Sequence, residues 1–127
     1  LYHPKAGDVL ICDFKGYIVP EIVKRRPVVV VGRKSFPRPN LVTVVPLSST
    51  APVPELAYHF KFASNPVPNA QPGIQCWAKC DMAATVSLER LDRFKMERGR
   101  YETGRVSLDE LRELRRMACL IFGIAGT

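Results

Sequence analysis

Lys24-Arg25-Arg26-Pro27 runs directly into Val28-Val29-Val30-Val31. An unbroken β-branched run reads as a strand buried on both faces, because a strand with one wet face alternates apolar with polar residues. The cations at its mouth cannot follow it inside, since burying an unpaired charge costs too much. They belong on the rim, where they meet water or an anion. A second β-rich run, Leu41 to Leu47, ends in Ser48-Ser49-Thr50. Two adjacent strands of this kind bring arginine and hydroxyls to nearby rim positions, a pairing suited to phosphate.

The 127 residues form one expected domain, 1–127, long enough for a real core. No apolar run reaches the length of a membrane span, and the N-terminal residues lack a signal-peptide pattern. A net charge of +7 favours a nucleic-acid partner, because cations displace the counterions condensed on a phosphate chain. Cys76 and Cys80 do not have the usual spacing of a zinc pair, Cys12 lies in a strand pattern and Cys119 on an apolar helix face. The cysteines therefore read as small buried hydrophobes in a reducing, cytoplasmic setting, with no structural metal and no cofactor.

Strands are expected at Gly7 to Phe14, Pro27 to Gly32, Leu41 to Leu47, Leu56 to Phe62 and Ile74 to Asp81, with Ala84 to Val86 continuing the last or starting a sixth. Ala63 to Gly73 holds Pro66, Pro68 and Pro72 and cannot be regular. Ser87 to Leu91 suits a helical turn, and Arg93 to Arg105 an edge hairpin. Ser107 with Glu110 makes a capping box for a late helix. Its apolar stripe is Leu108, Leu111, Leu114, Ala118 and Ile121, and Gly123 is the stop. Many short strands, long loops and one late helix imply a mainly β fold, a small and strongly bent barrel.

Alternation along the fifth strand places Gln75, Trp77, Lys79 and Asp81 on one face and Cys76, Ala78 and Cys80 on the other. The second set is core-like. The first holds a cation, a carboxylate and an indole. On its own, a Lys-x-Asp pair is most often an exposed ion pair worth under about 1 kcal/mol.

Several motifs occur together in a definite order. Gly7-Asp8-Val9 opens a strand, and Arg25-Arg26-Pro27-Val28-Val29-Val30-Val31 follows. Next come Val44-Val45-Pro46-Leu47-Ser48-Ser49-Thr50, then Lys79-Cys80-Asp81, Thr85-Val86 and the late helix. In this order the chain resembles the MazF/PemK toxins over nearly its whole length, most closely the PemK (Kid) branch, which has Arg-Cys-Asp where this chain has Lys79-Cys80-Asp81. The resemblance implies an SH3-like barrel of the CcdB/PemK/MazF type and a homodimer. It also implies metal-independent endoribonuclease activity on single-stranded RNA at a short motif, and a cognate antitoxin whose disordered segment lies across the toxin.

Cleavage of RNA without metal needs a base for the 2′-hydroxyl proton, an acid for the leaving 5′-oxygen and donors for the charged phosphorane. The resemblance assigns the base to Asp81 and the acid to Lys79, where PemK proteins have arginine. Arg26 suits the phosphorane by forked hydrogen bonds, and Ser48 stands where the family has a threonine. Lysine lacks the planar fork, and MazF-like members lack the Lys/Asp pair, so the acid is either Lys79 or Arg26. Arg25, Arg33, Lys34 and Arg38 are expected on an RNA-binding surface. Trp77 offers an indole for stacking on a base, worth roughly 1–3 kcal/mol, and equally suits an interface or half-buried core position. His59, between Tyr58 and Phe60, reads as structural.

Two alternatives share the fold class. A CcdB-like gyrase poison acts through a C-terminal Trp-Gly-Ile, of which Phe122-Gly123-Ile124 is a faint echo. An RNA- or peptide-binding barrel without catalysis keeps the same shape.

Overall fold

A computed structural model describes residues 3–33 and 38–124. Its strands are β1 (Asp8–Asp13), β2 (Arg25–Val30), β3 (Leu41–Ser48), β4 (His59–Lys61), β5 (Trp77–Lys79) and β6 (Ala84–Ser87). Four short ones follow: β7 (Leu91–Asp92), β8 (Phe94–Lys95), β9 (Tyr101–Glu102) and β10 (Gly104–Arg105). The helix α1 (Leu108–Ile121) is the last regular element among the described residues. Among the described residues the sheet is antiparallel, in the order β10-β1-β2-β3-β5-β4, with β6 also on β3 and β7 also on β1.

β2 is buried on both faces, as its valines require. Val29 and Val31 enter one core with Val9, Val45, Leu47, Ala78, Leu111 and Leu114. Val28 and Val30 enter a second with Leu10, Cys12, Phe14, Val44 and Val86. Helix α1 covers the first face. The loop after β1 helps cover the second, where Tyr17 and Ile22 pack.

The expected barrel is an open one. The hydrogen-bonded path ends at β4 and β10 and does not close. β3 divides its outer edge: Leu41 to Val44 pair with β6, whereas Leu47 and Ser48 pair with β5. Pro46, which has no N–H to donate, sits at this changeover, which is how a central strand tolerates it. At the other end of the sheet, Gly104 pairs with Val9 under the proline-rich loop. A β-carbon there would lie 2.4 Å from the Pro66 carbonyl oxygen, so only glycine lets the loop come down on the strand.

Several element boundaries differ from expectation. β2 begins at Arg25 because Asp13 and Cys12 of β1 pair with Arg25 and Arg26. β4 is only His59–Lys61, because the Leu56 N–H turns back onto His59 Nδ1 instead of joining a ladder. β5 stops at Lys79; Cys80–Met82 form a 3₁₀ turn and β6 follows separately. The capping box at Ser107 and Glu110 forms as expected. Gly123, at φ 78°, ends the helix with bonds back to Leu120 and Cys119 from its own N–H and that of Ile124. The helix stripe is shorter than expected: Leu111 and Leu114 are buried, while Leu108 is 74% exposed.

That contrast sets a stability test. Leu114→Ala should cost about 2–5 kcal/mol of folding stability. Leu108→Ala should change it by no more than about 0.5 kcal/mol. Urea titrations of both variants check the difference, and equal costs would misplace the helix.

Candidate active site

Three strands that lie side by side converge on one pocket. β2 pairs Val28 with Pro46 of β3, and this register carried two residues outward sets Arg26 opposite Ser48. Ser48 pairs in turn with Trp77 of β5, two residues before Lys79. Arg26, Ser48 and Lys79 line a cavity of about 220 Å³ together with Glu21, Ile22, Val23, Lys24 and Leu47. Among the described residues, Lys24, Arg26 and Lys79 have no ion-pair partner within 4.0 Å. Unpaired cations around a hydroxyl make a site for an anion with several oxygens, such as a phosphodiester.

The loop between β1 and β2 forms one wall. Arg90 holds its base by donating from Nη1 to the carbonyls of Asp13 (2.9 Å) and Lys15 (2.7 Å), while its guanidinium lies 5.2 Å from the Tyr17 ring. Glu21 Oε1 accepts from the Ile18 N–H at 2.6 Å, and Ile22 reaches the second core. The loop is therefore built onto the sheet and delivers Glu21 and Lys24 to the pocket. Sequence reasoning did not single out Glu21; its available signal was a carboxylate between prolines and cations, five residues before Arg26.

The Ser48 hydroxyl is engaged within its own loop. It accepts from the Thr50 N–H at 3.0 Å and donates to the Thr50 carbonyl at 3.3 Å. A phosphate oxygen can take over the second bond by rotation about a single side-chain torsion.

Asp81 does not line the pocket. It stands in the 3₁₀ turn two residues beyond Lys79, with its Oδ1 4.0 Å from His59 Nε2. The expected face of Gln75, Trp77, Lys79 and Asp81 is thus broken after Lys79. Trp77 is only 5% exposed, and its Nε1–H donates to Glu55 Oε1 at 2.9 Å. A base has no access to a ring so covered, and the role left to Trp77 is to pin the loop after β3 onto β5. Among the other expected RNA contacts, Arg25 is exposed on the rim and 3.9 Å from Asp13. Arg33 lies past the other end of β2, roughly 20 Å from Arg26 along the chain, beside Arg115 of α1. Arg38 is exposed next to β3, and Lys34 falls outside the described residues.

Cys12, Cys76 and Cys80 are buried core residues, in keeping with their reading as small hydrophobes. Burial pushes the thiol pKa up to about 11 for Cys12 and Cys76 and about 12 for Cys80. No helix among the described residues is long and apolar enough to cross a membrane.

Comparison with known proteins bears on this arrangement. The sequence model of the PemK-like, MazF-like toxins of type II toxin-antitoxin systems matches residues 5–122. The uncharacterized protein YifN of Escherichia coli (strain K12) is 35% identical over 77% of this chain and 78% of its own length. Among solved structures, MazF (Form-I) from Deinococcus radiodurans superposes with a TM-score of 0.69 at 19% identity, over 97% of this chain and 99% of that one. The Mycobacterium tuberculosis toxin MazF-mt6 gives 0.64 at 19% identity, over 93% and 98%. An endoribonuclease in complex with its cognate antitoxin, from a mycobacterial species, gives 0.63 at 18% identity, over 98% and 100%. At these identities the structures establish a shared fold: a mostly antiparallel β sheet with one C-terminal helix.

Thiol labelling tests the buried cysteines. The thiolate is the reactive form, so a raised pKa suppresses reaction at neutral pH. Iodoacetamide at pH 7.5 should label the partly exposed Cys119 of the folded protein and leave Cys12, Cys76 and Cys80 unmodified by peptide mass spectrometry. Prompt labelling of any of those three would contradict the packing.

Proposed function

The chain belongs to the PemK-like, MazF-like toxin family of type II toxin-antitoxin systems, and from that premise we propose that it is an endoribonuclease that cleaves single-stranded RNA without a metal ion. The observation that carries this reading is the pocket of unpaired cations and a hydroxyl formed by Lys24, Arg26, Ser48 and Lys79. The scissile phosphate sits there. Arg26 donates to the non-bridging oxygens as negative charge grows on the phosphorane, and Ser48 adds a neutral donor. Asp81 takes the 2′-hydroxyl proton, and the freed oxygen attacks the adjacent phosphorus. Lys79 gives a proton to the departing 5′-oxygen, leaving a 2′,3′-cyclic phosphate. Glu21 is the carboxylate on the pocket wall itself, Asp81 standing outside it beyond Lys79, and Arg25 adds charge at the rim. The protein acts in the cytoplasm, where its RNA is.

The test is cleavage of a mixed-sequence RNA by purified protein in EDTA, followed by end mapping. Cuts at one short motif with cyclic phosphate ends are expected. Arg26→Ala should lower the rate about 100- to 1000-fold. Asp81→Ala should lower it about 100- to 10,000-fold, with the fold intact. Glu21→Gln should retain more activity than Asp81→Ala; the reverse order would move the base to Glu21. Cleavage that vanishes in EDTA and returns with a divalent ion would overturn the metal-free chemistry. Intact RNA under all conditions would favour a gyrase poison or a binding barrel.

We propose further that the protein is a homodimer and that an acidic antitoxin segment, disordered when free, binds over the same pocket. Ile121, Phe122 and Ile124 leave apolar surface exposed at the end of α1, which a second copy would cover. The unpaired cations draw an acidic peptide as they draw RNA, so the two should compete, and less strongly at high salt. Light scattering should report a dimer at micromolar concentration. A monomer, or a complex holding RNA and antitoxin together without mutual loss of affinity, would refute the corresponding part.

A further inference from the structure

His59 carries an inference that deepens the ribonuclease reading and rests on Asp81 being its base. His59 opens β4 and pairs with Lys79 of β5, so its side chain shares a face with the lysine. Its imidazole is fixed on several sides. Nδ1 accepts the Leu56 N–H at 2.9 Å, the ring meets Tyr58 edge-on at 4.7 Å, and the side chain is only 10% exposed. Because Nδ1 is an acceptor, the ring proton of the neutral imidazole resides on Nε2. That nitrogen is 4.0 Å from Asp81 Oδ1.

The two groups are held on one hydrogen-bonded frame. The Cys80 N–H donates to the Tyr58 carbonyl at 3.1 Å, tying the residue before Asp81 to the residue before His59. Cys80 itself is buried in the first core. Asp81 therefore has a fixed backbone position and a side chain about one-third exposed, with a donor facing it. The separation exceeds a hydrogen bond, as is common before substrate closes a site.

We propose that His59 is a positioning residue: its Nε2–H donates to Asp81 when RNA is bound and holds the carboxylate in the orientation that takes the 2′-hydroxyl proton. A purely structural histidine needs only Nδ1, to satisfy Leu56. The spare nitrogen would then do nothing, and its loss would leave cleavage unchanged.

Two substitutions separate the nitrogens. His59→Asn keeps an acceptor near the Nδ1 position and removes the distal donor. His59→Gln returns a donor near the Nε2 position. With an RNA oligonucleotide carrying the site mapped for the wild type, His59→Asn should lower kcat roughly 10- to 100-fold, the effect of one hydrogen bond to a charged group. KM should stay within about two-fold, because the contact acts on the chemical step. His59→Gln should recover most of the loss. In an Asp81→Asn background His59→Asn should have no further effect, because the two act as a unit. Normal kcat in folded His59→Asn, equal loss in both variants, or additive loss with Asp81→Asn would each overturn the proposal while leaving the ribonuclease reading standing. No RNA cleavage by the wild type would remove both. If the variants do not fold, nitrogen-15 spectra of the imidazole decide, recorded with a bound RNA analogue that lacks the 2′-hydroxyl at the cleavage site. The proton should be on Nε2, and Asp81→Asn should shift that resonance; a proton on Nδ1, or no shift, overturns the proposal.

Discussion

Burial of β2 on both faces is the constraint on which the rest of this molecule depends. A strand with valines on either side needs two apolar layers, and the chain supplies them differently. Helix α1 provides one, through Leu111 and Leu114. The other is assembled from Phe14, Val86 and partly buried loop residues such as Tyr17 and Ile22. With both faces closed, the only place left for Lys24, Arg25 and Arg26 is the end of the strand. There the desolvation cost is small, and the cations keep their attraction for an anion. Fold and pocket are thus consequences of one distribution of side chains along a few residues.

The capping box, the glycine stop and the doubly buried strands were legible because each rests on chemistry between residues near in sequence. Strand ends were less legible, because a strand lasts only as long as its neighbour offers hydrogen bonds. Arg25 and Arg26 belong to β2 because β1 reaches them. Leu56 does not belong to β4, because its N–H finds a ring nitrogen instead. The openness of the sheet was not legible either, since it depends on β4 and β10, distant in sequence, ending the path without pairing to each other.

The candidate site divides in the same way. The pairing of Arg26 with Ser48 could be read from two consecutive β-rich runs, and the structure sets both in one cavity. Glu21 was hidden because it enters through a loop whose path is fixed by Arg90, far along the chain. The nearness of His59 Nε2 to Asp81 was not legible, because it depends on the register of β4 on β5. Trp77 shows the limit of alternation as an argument. A period of two decides which side of a strand a residue takes, but Glu55 and its loop decide whether that side is wet.

The division of β3 also shapes how this protein comes into being. Arg26, Ser48 and Lys79 are brought together only by strand pairings between segments distant in sequence, with β3 at the centre of each. Such contacts form late and together, after the loops between them have closed. A chain that lacks these strand pairings therefore lacks the cavity that Arg26, Ser48 and Lys79 line together. The pocket, in a protein built this way, is a property of the assembled sheet and of no single segment of it.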